Sequence, residues 1–158
     1  MRWSLLIPLL LGSPLWAADW DVPNRAGAIN ETLAQAADGD TLRLSPGVYA
    51  EHLVLDRPVT IDGQGQATID GQGTGSVITV TGPGVTVRGL TVIGSGSSHD
   101  GIDSGIQLTK TARAPVVEDN VLLGNLYGID IHGAQDSIVR RNRIEGRQDR
   151  HMNARGNG

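Results

Sequence analysis

An all-β fold, a parallel β-helix wound from coils of about 22 residues, is what this sequence predicts, and three observations carry it. Short segments resemble one another at that spacing. Between them the chain is punctuated by turn residues, and glycine alone is 22 of 158 residues, about twice the usual share of roughly 7%. The apolar load falls on Val, Ile and Leu, with no Phe at all, which favours short strands between tight turns over a helical bundle. The rest of the composition bounds the function. One domain is the expectation for this length. Hydrophobic residues are 39%, enough for a core. With 17 acidic residues, 13 Lys and Arg and no basic stripe, nucleic acid is not the expected partner. Zero Cys excludes a disulfide scaffold, a thiolate zinc site and a cysteine nucleophile.

From the N-terminus, residues 1–17 (MRWSLLIPLLLGSPLWA) read as a cleaved secretory signal. Arg2 supplies the positive start, Leu5 to Leu15 a short apolar stretch, and Ala17 and Ala18 small residues for cleavage. The stretch is shorter than the ~20 residues that span a bilayer, and no later segment is long and apolar enough to do so. The mature chain is therefore expected in the periplasm, where a protein without Cys has no thiol to mispair. The domain runs over 18–158. Residues 26–37 (AGAINETLAQAA) form the convincing helical stretch, with Ile29 and Leu33 on one face and Gly39 beyond its end. A helix there would cap the open end of a solenoid, which otherwise exposes strand edges.

From Thr41 on, strands are expected at TLRL (41–44), HLVL (52–55), VTI (59–61), VITV (77–80), VTV (85–87), LTVI (90–93), GIQL (105–108), PVVE (115–118), GIDI (128–131) and SIVR (137–140). VVEDNVLLG (116–124) aligns without gaps on IVRRNRIEG (138–146) at an offset of 22, and SGIQL (104–108) on YGIDI (127–131) at 23. TVRGLTVIG (86–94) is a third copy at offset 30, with Leu90 at the Asn position. Like then stacks on like about 4.8 Å apart: Val87, Val117 and Val139 in one internal row, Val92, Leu122 and Ile144 in another, Ile106 over Ile129, Leu108 over Ile131. Asn120 over Asn142 makes an amide ladder at a sharp turn, since Asn tolerates the left-handed conformation. The chain closes on RGNG (155–158), with Gly158 where GIQL and GIDI began, so a domain cut at its C-terminal end is expected.

Two long loops, SGSSHDGID (95–103) and RQDRHMNA (147–154), leave equivalent corners two coils apart and could flank a notch. Imidazole and thioether are copper ligands, so His99, His151 and Met152 form the candidate metal set there; solvated loop residues are the plainer alternative. His132 follows GIDI and reads as a turn residue, and His52 as a packing residue. The IDGQG segments (61–65 and 69–73) are turn signals. Enzymes on this scaffold need several carboxylates, or a Lys or Arg base, converging on one strand face. The GIxx face offers Gln107 and Asp130, one amide and one acid, and the mature chain has only Lys110 as lysine. No catalytic residue and no tightly held cofactor is expected.

GDTLRLSPGVYAEHLVLDRPVTIDGQG (39–65), RGLTVIGSGSSHDGIDSGIQL (88–108), EDNVLLGNLYGIDIHGAQDSIVRRNRIEG (118–146) and the closing RGNG together resemble the NosD family, periplasmic β-helix accessory proteins of nitrous oxide reductase. The resemblance implies a right-handed β-helix and a role in maturing the copper centre of that reductase. It further implies an ABC-type permease with its ATPase and a copper-chaperone lipoprotein as partners. A non-enzymatic accessory protein is thus the expected function. A carbohydrate-active β-helix enzyme lacking its catalytic coils, or a β-helix used only for binding, are the alternatives.

Overall fold

The computed structural model describes residues 16–148. The expected signal segment lies almost wholly outside them, as do His151 and Met152. Six turns of chain stack in parallel. The first is β1 (Asp19–Val22), followed by α1 (Ala28–Leu33). The second comprises β2 (Thr41–Leu44), β3 (Gly47–Tyr49) and β4 (Leu53–Leu55); the third, β5 (Thr60–Asp70) and β6 (Ile78–Val80). The fourth comprises β7 (Thr86–Ile93) and β8 (Ser104–Leu108); the fifth, β9 (Val116–Glu118), β10 (Val121–Asn125) and β11 (Tyr127–Ile131); the sixth, β12 (Ile138–Arg140) and β13 (Arg143–Gly146). The register Asp19, Thr41, Thr60, Thr86, Val116, Ile138 advances by 22, 19, 26, 30 and 22 residues. Strands keep their partners while corners absorb the differences.

The expected rows are all present and longer than the sequence alone suggested. Leu42, Ile61, Val87, Val117 and Val139 stack in one, and Tyr49, Ile69, Val92, Leu122 and Ile144 in another. Leu53, Ile78, Ile106 and Ile129 line the opposite sheet beside Leu55, Val80, Leu108 and Ile131. Most of these side chains are wholly buried, the Tyr49 ring among them. Where the described strands of each sheet end the rows open: Ile131 is 51%, Val139 38% and Ile144 36% exposed, because no described strand covers them.

Several elements differ from expectation. Residues 19–22 form a strand although two of the four are Asp, a residue depleted in strands; Trp20 and Val22 point inward over Leu42 and Leu44. Residues 47–49, 67–70 and 143–146 are also extended. The helix is shorter than 26–37. Gly27 sits at its N-cap in the left-handed region, and the last turn tightens, with Gln35 N–H donating to the Thr32 carbonyl. No local side chain caps it. Glu51, buried and 22 residues on, accepts from Ile29 and Asn30 N–H instead, and Arg57 donates to the Leu33 carbonyl at the other end. Ala28, Ile29 and Leu33 bury the helix in the core cluster, which gives it the capping place expected.

Asp40 is a second buried carboxylate. It accepts from Ala18 N–H at 2.7 Å, Trp20 Nε1 at 2.8 Å and Ala37 N–H at 2.8 Å, and these hydrogen bonds hold its pKa below the ordinary carboxylate value. A depressed folded pKa contributes stability that is complete above the unfolded value of ~3.9 and fades as pH falls through the folded one. The melting temperature should therefore fall more steeply below about pH 4 in the wild type than in Asp40→Asn. Parallel acid profiles would remove Asp40 from the acid transition.

One outward row carries charge of alternating sign. Asp21, Arg43, Asp62, Arg88, Glu118 and Arg140 are successive register partners. Arg88 pairs with Asp62 at 2.9 Å and Arg140 with Glu118 at 2.7 Å, while Arg43 reaches Asp19 at 2.8 Å. Arg141 adds Asp119 at 2.7 Å, and that hydrogen bond lowers the Asp119 pKa.

Candidate functional site

The corners after the long sheet change chemistry along the solenoid. In the third coil, Asp62 and Asp70 each accept from the N–H two residues on, at Gln64 and Gln72, and both glutamines sit at positive φ. The two IDGQG segments are thus Asx turns, as their composition suggested. In later coils amides replace these turns. Asn120 is 1% exposed. Its Oδ1 accepts from Leu90 N–H at 3.0 Å, and its Nδ2 donates to Val87 O and to Asn142 Oδ1, both at 3.0 Å. Asn142 repeats the pattern on Val117 O at 2.9 Å. The expected ladder is present, but its left-handed residue is the one before each Asn: Asp119 at φ 56° and Arg141 at φ 54°. That residue turns the chain, which frees the Asn to point its amide inward. A second ladder, not anticipated, starts at Asn125, which accepts from Ser95 N–H and donates to Val92 O.

Arg147, one residue past the Gly146 that pairs with Asn125, fills the notch. Its side chain is 9% exposed. Nε donates to Gly124 O at 3.0 Å, Nη1 to Ser97 Oγ at 2.8 Å and Nη2 to Ser95 O at 2.9 Å and to Gly96 O at 2.5 Å. An open cavity of about 560 Å³ lies against it, bordered by Gly73, Gly94, Gly124 and Gln148.

The 95–103 loop is tightly tied. Asp103 accepts from Ser98 N–H at 2.8 Å, Ser98 Oγ accepts from Gly101 N–H at 2.9 Å, and Ile102 N–H reaches the His99 carbonyl. At its tip His99 Nδ1 shares a 3.0 Å hydrogen bond with the Tyr127 hydroxyl, the rings meeting edge to face. His99 is exposed, with Asp100 beside it. Its two proposed companions, His151 and Met152, lie outside the described residues; among the described residues no group of three or more His, Asp and Glu is arranged to hold a metal.

His52 is exposed rather than packed, hydrogen-bonding Ser76 O at 2.9 Å and Thr74 Oγ1 at 3.2 Å. Polar partners on the neighbouring turn give it a surface role. His132 is an exposed residue following β11. The outward row of the second sheet reads Val54, Thr79, Gln107, Asp130, with one acid in it. Tyr127 and Arg147 are the residues that sequence reasoning passed over. The only signal for Arg147 was its place after Gly146, matching Asn125 after Gly124.

No family model matches the chain. Over 123 residues it is 37% identical to a protein of Pseudomonas aeruginosa named "Probable ABC transporter binding protein NosD", which covers 77% of this chain and 29% of that protein. Over 128 residues it is 30% identical to the protein of the same name from Stutzerimonas stutzeri, covering 80% and 29%. The chain thus spans less than a third of the length of these relatives. Among solved structures, the PL6 family alginate lyase AlyGC matches with a TM-score of 0.60 over 79% of this chain and 20% of that one. At 21% identity this likeness bears on the β-helix fold alone. The resemblance first read from the repeats and the GSGSSHDGIDSGI insertion is therefore borne out over about three quarters of the chain, which is consistent with a fragment of a NosD protein.

Proposed function

We propose that this chain is part of a non-enzymatic periplasmic accessory protein that works with an ABC-type transporter in supplying copper to nitrous oxide reductase. The similarity to two proteins named as ABC transporter binding proteins is the observation that carries the reading. The surface is in keeping with it. The outward Val54, Thr79, Gln107, Asp130 row lacks the paired carboxylates that sugar chemistry uses. The corner bearing the 95–103 loop instead offers a formed polar surface, on which a copper carrier could dock. Copper in transit is then cargo, met by His99 and, beyond the described residues, by His151 and Met152.

The test is genetic and chemical together. Deleting the gene should leave an exported, folded reductase that lacks its catalytic copper, and His99→Ala should lower copper loading without moving the melting temperature of this protein. Normal copper content in the reductase of the deletion strain would refute the proposal.

A further inference from the structure

We propose that Arg147 is a latch that seats the 95–103 loop, so that the loop becomes a formed surface only once the sixth coil has packed. This deepens the docking reading above and rests on it for its functional meaning. The geometry is unusual for neighbours in a solenoid. The loop leaves the fourth coil and Arg147 belongs to the sixth, about 9.6 Å away along the axis at ~4.8 Å per coil. An arginine spans that gap only if nothing stands between. The fifth coil meets this condition: its corner is short, and Gly124, at φ 62°, presents its carbonyl to the passing side chain. The side chain passes over Gly124, leaves one hydrogen bond on its carbonyl, and spends its remaining bonds on Ser95, Gly96 and Ser97.

The contacts are chemically specific. Three carbonyls and a hydroxyl converge on one guanidinium, whose planar fork supplies donors in several directions at once. Lysine could satisfy only part of this set. Among the described residues no carboxylate pairs with Arg147, so the buried charge is held by oriented dipoles alone. Those dipoles belong mostly to the base of the loop. The loop tip is fixed separately, by His99 on Tyr127 of the fifth coil. Base and tip are thus tied to two different later coils, and ordering of this Gly- and Ser-rich segment is met in advance of any partner.

Hydrogen exchange on the full-length protein tests the latch. In Arg147→Gln, amides of residues 96–103 should exchange at least tenfold faster than in the wild type, while β7 and β8 keep their protection. Ser97→Ala, which leaves the sixth coil untouched, should give a smaller increase in the same segment, and Arg147→Lys should recover only part of the protection. Unchanged exchange of 96–103 in Arg147→Gln overturns the proposal, as does loss of protection across β7 and β8 along with the loop, which would make Arg147 a general packing residue. If the loop loosens as expected but reductase copper content stays normal in a strain carrying Arg147→Gln, the latch stands and the docking reading fails.

Discussion

Val117→Asp should lower the stability of the protein by about 4 kcal/mol or more, since it leaves an unpaired carboxylate inside an apolar row. Val117 has no exposure and lies between Val87 and Val139. Leu122→Asp, between Val92 and Ile144, should do the same. The contrast lies one residue away. Arg143 and Glu145 alternate outward on the same strand as Ile144 and pair with each other on the surface. Arg143→Asp should cost no more than roughly 1 kcal/mol, the worth of a surface pair. Ile131→Asp tests the end of a row: its register is internal, so where a further coil covers it in the full-length protein its cost should approach that of Val117→Asp. Chemical denaturation of the full-length protein reads all four. Equal losses at Val117 and Arg143 would overturn the assignment of faces.

Asn120→Ala should cost about 3–5 kcal/mol, because it leaves several buried polar groups without partners at once. Leu90 N–H and Val87 O both lose their bonds, and Asn142 Oδ1 loses one of its two donors. Asn142→Ala, in a half-buried site, should cost about 1–2 kcal/mol. At roughly 2–4 °C per kcal/mol for a chain of this size, the two variants should melt several degrees apart. Asn120→Leu is the stricter comparison. It restores apolar volume, as Leu90 does at the same position one coil earlier, but leaves Leu90 N–H and Val87 O unpaired. A variant as stable as wild type would mean that shape rather than hydrogen bonding decides this corner.

What could be read from the sequence follows from how a solenoid stores information. Rows such as Val87, Val117 and Val139 are legible because like stacks on like, so alignment of the chain with itself is already a contact prediction. β1 is illegible by the same method: DWDV has no close copy, and its two aspartates argue against a strand until Arg43 is seen beside them. The Asn ladder was visible as a repeated letter, but not which residue carried the left-handed turn, since Asp119 and Arg141 share no side-chain chemistry. The site was the least legible part. Arg147 acts on Ser97, 50 residues earlier, across an intervening coil whose Gly124 carbonyl it also bonds. No local pattern records a three-body arrangement of that kind. The histidines are held by simpler contacts, His99 by Tyr127 and His52 by Ser76 and Thr74.

The alternating row from Asp21 to Arg140 works as a parity check on assembly. Aliphatic rows cannot tell one coil from another, because Ile61 would sit on Val117 almost as well as on Val87. Charge can. Stacking that skips a single coil would set Asp62 on Asp21, Arg88 on Arg43, Glu118 on Asp62 and Arg140 on Arg88, like upon like at every step. Skipping two restores the match. Errors of one coil are thereby disfavoured during folding, when short degenerate strands compete for the same edge. The same rule bears on how such a chain can lengthen: a lone inserted or deleted coil breaks the sequence of signs, whereas coils gained or lost in pairs preserve it.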